Sequence, residues 1–226
     1  MQNIEADIEK LLQQLGYKYI GYTETIYRQQ KCCGNNSEIK VKLTLLEKQP
    51  GVSYFLIIPL KIVNVIGNGP TCVPVVAPCI TNTSIKVKGI RQLSSDVQQK
   101  QTIINYSSSS PIGTYDHYCK QNYIPKPGCD TYDRTPPGYE TIMLYVGDSY
   151  YAPINEPFPL LVYQQFDKLE LEVSLHASYP SGSIPLPWTE SFLEISNIKV
   201  YQLNQDEFLT ELSLVLGLLG FVLGIR

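Results

Sequence analysis

Charge is what this sequence has least of. Asp, Glu, Lys and Arg supply 17% of its 226 residues, against about 25% in an ordinary soluble domain. The balance of 18 basic and 21 acidic side chains leaves no basic excess, which excludes nucleic acid as an expected partner. Histidine is almost missing too. His117 and His176 are the two candidates for a general base near neutral pH. His176 falls on the polar side of an alternating strand pattern, and His117 lies two residues from Cys119, a weak basis for a nucleophile pair. There is no G-x-S-x-G elbow, Walker phosphate loop, G-x-G-x-x-G fingerprint or H-E-x-x-H pair. Glu140, Asp148 and Glu156 fall near expected strand ends, where nothing marks a pair for acid–base work. The expectation is a protein that is not an enzyme and has no catalytic residues, cofactor or metal. The first residues, MQNIEADIEKLLQQLG, lack a basic start and an apolar stretch, so no secretory leader is expected.

What is abundant is tyrosine, 17 residues beside 6 phenylalanines and one tryptophan, within a hydrophobic share of 43%. That share suffices for a substantial core in a chain of this length. With so few charges, the surface falls to Tyr, Ser, Thr, Asn and Gln, a composition suited to interfaces or glycans.

Six cysteines occur, Cys32, Cys33, Cys72, Cys79, Cys119 and Cys129, in contexts that read as loops. An even count of this kind reads as a disulfide framework. Cys72 with Cys79 and Cys119 with Cys129 bracket short Pro-containing stretches as local staples, while Cys32 and Cys33 suit different partners or stay free. Metal binding by His117, Cys119 and Cys129 lacks the usual paired ligand spacing, and buried free thiols are the other alternative. Disulfides without a leader fit assembly inside a thermophile. A sparse charge also suits release into hot acid, where carboxylates neutralise and bases do not.

Helical spacing of Ile4, Ile8, Leu11, Leu12 and Leu15 predicts an N-terminal amphipathic helix over 1–16, ended by Gly16. Period-two alternation then takes over. Ile39, Val41, Leu43 and Leu45 share one face of a strand, as do Leu169, Leu171, Val173 and Leu175 of another. The more apolar run 52–66 reads as a central strand, with a bulge or bend at Pro59. Further strands are expected near 18–28, 84–93, 100–106, 140–146, 158–164 and 192–203, about nine in all. Residues 17–203 are thus expected to form an all-β, antiparallel β-sandwich of jelly-roll type, with an immunoglobulin-like sandwich as the other possibility.

Two segments stand outside this pattern. Residues 107–139 form a long Tyr-, Pro- and Cys-bearing loop, in which Tyr115, Tyr118, Tyr123 and Tyr132 read as a recognition surface or as packing onto the domain or a neighbouring subunit. Residues 204–226 read as an apolar C-terminal helix, capped at Asn204 with Glu207 and uncharged from Leu212 to Ile225. Ser213, Gly217, Gly220 and Gly224 recur at small-residue spacing, with Leu212 and Phe221 among the apolar residues around them. Such a helix enters a membrane or its interface, joins its own copies in an oligomer, or fills a groove of its own domain. N-glycosylation sequons occur at Asn35, Asn82 and Asn105.

A Tyr- and Cys-bearing sandwich with a long aromatic loop and a short apolar C-terminal helix resembles virion structural proteins of thermophilic archaeal viruses. The similarity is to turret or penton proteins of polyhedral viruses and to tail or adaptor proteins of spindle-shaped ones. It implies a homo-oligomer in contact with other virion or surface proteins, at the outward surface of a particle assembled without a signal peptide. It also implies membrane contact through the tail. It carries no functional residue across. The alternative is a cell-surface adhesin or carbohydrate-binding sandwich, whose loop tyrosines stack on a glycan.

Overall fold

The computed structural model describes residues 4–34, 36–47, 49–67, 80–113, 139–154, 160–178 and 188–204. Among them are one helix and twelve strands, and every strand pairing is antiparallel. The helix α1 (Ile4–Gln14) carries Glu5 and Asp7 in its first turn, where the helix dipole favours acids. It ends ahead of Gly16, whose φ of 85° is left-handed.

Sheet 1 contains β1 (Lys18–Tyr22), β2 (Tyr27–Gly34), β4 (Val52–Gly67), β7 (Glu140–Gly147), β11 (Trp188–Ile195) and β12 (Lys199–Asn204). β7 pairs with Phe55–Ile62 of β4, overlapping the stretches that pair with β12 and with β11. A strand has two edges, so β11 and β12 must lie in line along the same edge of β4. β1 and β2 likewise lie in line along β12 and β11. Sheet 1 is therefore four ribbons wide, in the order β1/β2, β12/β11, β4, β7. Sheet 2 is also four wide, in the order β3 (Asn36–Glu47), β10 (Lys168–Ser178), β5 (Ile80–Gln92), β6 (Gln98–Ser108). β8 (Ser149–Ile154) and β9 (Leu160–Gln165) form a separate hairpin between β7 and β10.

Alternation explains how the sheets meet. Ile39, Ile85, Leu171, Val173 and Leu175 of sheet 2 share one core with Leu56, Ile58, Leu60, Leu193 and Ile195 of sheet 1. β4 is apolar on both faces because both are covered. Leu56, Ile58, Leu60 and Ile62 enter this core, and on the far face Ile57 packs with Leu12 of α1 and Tyr201. Val63 and Val65 pack with Phe192 on that same far face.

The expected all-β, antiparallel architecture and N-terminal helix are present; the structure differs from the expectation in five places. The stretch 18–28 is two strands, and 192–203 is also broken, at Asn197, which adopts a left-handed φ of 54° that asparagine tolerates better than most residues. β8 was not expected at all. Pro59 does not bulge β4: it keeps register with Met143. The interruption lies in the facing ribbon, where β11 stops opposite Leu60 and β12 starts opposite Ile57. A residue with no N–H to donate thus stands where that ladder is already broken. Finally, Cys32 and Cys33 belong to β2 instead of a loop.

Candidate functional site

The strand directions give the molecule two chemically different ends. Asn204, the last described residue before the apolar segment, pairs with Val52 at one end of β4. Ile112, within the 107–139 stretch expected to be all loop, bridges Asn64 toward the other, and Ser107 and Ser108 of that stretch still belong to β6. The twelve residue steps from Val52 to Asn64 span roughly 40 Å at strand rise. The loop and the tail therefore leave from opposite ends.

At the loop end a buried polar cluster ties the sheets together. Asn64 Nδ2 donates to Thr83 Oγ1 at 3.2 Å and to the carbonyls of Asn82 and His176 at 3.0 and 3.3 Å. Its Oδ1 accepts from Ser191 Oγ at 2.9 Å, and Ser191 shares a 2.9 Å hydrogen bond with Ser37. All four side chains, Asn64, Thr83, Ser191 and Ser37, are buried. The backbone of Asn64 pairs both ways with Ile112, and Gly113 N donates to Glu140 Oε1 at 3.2 Å, so both stems of the long loop are fixed to sheet 1. Sequence reading passed over Asn64. Its signal was a polar residue in phase with Ile58, Leu60 and Ile62 inside an apolar run.

The connections carrying Cys72 with Cys79 and Cys119 with Cys129 begin and finish at this end, between β4 and β5 and between β6 and β7. Those four cysteines lie outside the described residues, as do His117, Glu156, Tyr115, Tyr118, Tyr123 and Tyr132. Cys32 and Cys33 are placed by backbone alone, near the same end of β2. The tail residues Leu212, Ser213, Gly217, Gly220, Phe221 and Gly224 also lie outside the described residues. Of the other residues weighed as acids or bases, His176 sits half-buried on the outer face of sheet 2 between Glu38 and Asn82. Asp148 is fully buried beside Tyr54. Burial, and secondarily the Asp148 charge, push the Tyr54 phenol up.

In the tail-side half of sheet 1, α1 is clamped by charge against the β12 residues that face Ile57 and Phe55. Lys199 Nζ lies 2.6 Å from Glu9 and 2.7 Å from Glu5, and Tyr201 donates to Glu9 at 2.8 Å. The bonds from Lys199 and Tyr201 hold the Glu9 carboxyl below its usual range. The bonds from Glu5 and Glu9 push the Lys199 ammonium up. Burial and the Glu9 bond push Tyr201 up to about 12. Around this clamp, apolar side chains face solvent: Ile4, Leu11 and Leu15 on one flank of α1, and Tyr19, Ile20 and Tyr22 on edge strand β1. Leu93 and Val97 are exposed at the β5–β6 turn of the same end. Ile80 and Tyr139 are exposed at the loop end, but more of the exposed apolar side chains lie on the tail side, and such a grouping marks an interaction site.

No cluster of three or more His, Cys, Asp or Glu side chains that could hold a metal ion occurs among the described residues. No helix among them is long and apolar enough to cross a membrane. No protein-family model and no curated protein matches the chain at a significant level.

Proposed function

We propose that this chain is a non-enzymatic structural subunit of a virion or similar surface assembly. In this reading it is folded as a jelly roll, oligomerises, and is anchored through its apolar C-terminal helix at 204–226. The observation that carries the reading is the polarity of the fold. Asn204, the last described residue before the apolar segment, pairs in the half of sheet 1 that carries the exposed apolar residues of β1, roughly 40 Å along β4 from the Asn64–Ile112 bridge at the stem of the Tyr- and Cys-bearing loop. A subunit that assembles at one end and displays a loop at the other is served by this separation.

Strand pairing supports the jelly-roll part. Counting in-line strands as one ribbon, the first ribbon (β1/β2) pairs with the last (β12/β11), and β3 pairs with β10. β4 pairs with β7, and β5 with β6. A chain paired outermost to outermost and innermost to innermost is one long hairpin rolled into two sheets, the arrangement of jelly rolls, which serve in viral capsids and lectins. Fold alone does not choose between those uses; the two-ended surface favours the assembly role. On this reading the partners are further copies and other particle proteins. The domain faces outward, and the tail faces a membrane or the particle interior.

The test compares the intact chain with one ending at Asp206 by liposome flotation and by mass in detergent. Flotation of the intact chain alone makes the tail a membrane anchor, and a defined oligomer of the intact chain alone makes it an assembly element. Identical behaviour of the two removes the reading. Glycan binding lost on changing Tyr115, Tyr118, Tyr123 and Tyr132 to alanine, with no effect of the tail on assembly, would support the adhesin instead.

A further inference from the structure

The outer face of sheet 2 gathers two of the three sequons, and we propose that Asn82 and Asn105 are N-glycosylated, making this face a glycan-bearing surface. Asn82 lies on β5 and Asn105 on the neighbouring edge strand β6. Both are exposed, and neither side-chain amide is hydrogen-bonded among the described residues. Their hydroxyl residues, Ser84 and Ser107, are direct cross-strand partners, and Asn105 pairs with Lys86. The two acceptors therefore stand on opposite sides of one serine pair, about 14 Å apart by strand rise and spacing.

There is room for sugar between them. Ser174 of β10 continues the row formed by Ser84 and Ser107, and these small side chains lie in two adjoining shallow cavities of about 390 and 370 Å³. One is walled by Lys40, Lys42, Lys86 and Glu172, the other by Glu38, Asn82 and His176. Such a lining offers donors and acceptors together, as hydroxyl-rich sugars require. His176 Nδ1, buried on that wall, has no hydrogen-bond partner among the described residues. The third sequon differs. Its hydroxyl belongs to Ser37, which is buried and bonded to Ser191 in the inter-sheet core.

The chemistry is transfer from a lipid-linked oligosaccharide by its transferase. Asparagine Nδ2 bonds to the anomeric carbon, the anomeric C–O bond to the lipid phosphate breaks, and the amide proton leaves with the displaced phosphate. The modification stands independently of the subunit reading. If it holds, subunit contacts are confined to the rest of the surface, including the α1 side of sheet 1, and sheet 2 has faced the glycosylating side of a membrane.

The experiment is intact-mass and glycopeptide mass spectrometry of the protein from its natural source. It is repeated on Asn82→Gln and Asn105→Gln chains made in a glycosylating host. The expected result is sugar on both peptides in natural material, with each substitution removing one glycan's mass and leaving the other site occupied. Ser84→Ala and Ser107→Ala should abolish the same glycans while keeping each asparagine, separating sequon recognition from any loss of folding. Unmodified mass at both peptides in natural material, or modification confined to Asn35, would overturn the proposal.

Discussion

Ser191 donates its hydroxyl to Asn64 Oδ1 at 2.9 Å inside the inter-sheet core, and through this pair the loop end of one sheet is held to the other. Asn64 is the only residue of β4 that reaches across by side-chain hydrogen bonds to both β5 and β10 among the described residues. A buried polar group left without its partner costs about 1–3 kcal/mol. Asn64→Leu, which strips donors from several groups at once, should cost about 3 kcal/mol and Ser191→Ala about 1.5 kcal/mol. Both should appear as a lower urea midpoint with unchanged slope. Equal stability of Asn64→Leu and the parent would mean that the cluster sets register without stabilising the fold.

Gly89 has no substitute. A Cβ there would stand closer than 3.0 Å to the ring of Phe166, which is itself buried in the core. Gly89→Ala should destabilise by about 2 kcal/mol through overpacking. The double variant Gly89→Ala with Phe166→Leu should cost less than the sum of its parts, because the smaller side chain yields the space. Strict additivity in denaturant unfolding would place the strain elsewhere.

These two positions show what the sequence could and could not reveal. β3 and β10 were legible because one face of each is wet, so apolar and polar residues alternate from Ile39 to Leu45 and from Leu169 to Leu175. β4 was legible as central because an apolar run needs cover on both sides. The break at Asn197 was not, since a left-handed residue within Ile195–Lys199 leaves no gap in the hydrophobic pattern. Nor was the use of Asn64, because an isolated asparagine gains meaning only from Thr83, Ser191 and His176, all distant in sequence. The separation of loop from tail came from topology alone: no local spacing says at which end of a strand a segment departs. Cys32 and Cys33 misled because two adjacent cysteines beside Gly34 resemble a loop while they extend an edge ribbon.

Acid should loosen the helix clamp first. Glu9 is held below its usual range by Lys199 and Tyr201, so its stabilisation is complete above the unfolded value of about 4.3. It is lost as pH falls through the lower folded value. Lys199 and Tyr201 are shifted up, so their contribution is lost only as pH rises past about 10. Hydrogen exchange, corrected for intrinsic rate, should show α1 amides losing protection on acidification below about pH 4.3 while β4 amides keep theirs. Lys199→Ala should remove the pH step in α1. At Glu194, burial raises the carboxyl, but bonds from Lys61 and Ser196 outweigh it, and the net shift is again downward. Glu170 behaves the same way with Lys42 and Lys168. These carboxylates share one sign, so the domain loses stabilisation in acid, which runs against the expectation that sparse charge adapts it to hot acid. A melting temperature unchanged from pH 6 to pH 3 would restore that expectation.

The flank of α1 separates folding from assembly within one helix. Leu12 is buried against Ile57 and Tyr201, whereas Leu11 and Leu15 are 53% and 51% exposed. Leu12→Ala should therefore cost about 2–3 kcal/mol of stability. The double change Leu11→Ser with Leu15→Ser should alter stability by no more than about 0.5 kcal/mol each, as surface substitutions do. If the tail end is where subunits meet, that double variant should nonetheless lower the mass seen by sedimentation toward the monomer, and adding Tyr22→Ser on β1 should lower it further. The two readouts oppose each other by design: stability kept with assembly lost is the signature of a contact surface. If the serine variants sediment like the parent, the exposed flank takes no part in assembly and the subunit reading must rest on the tail alone.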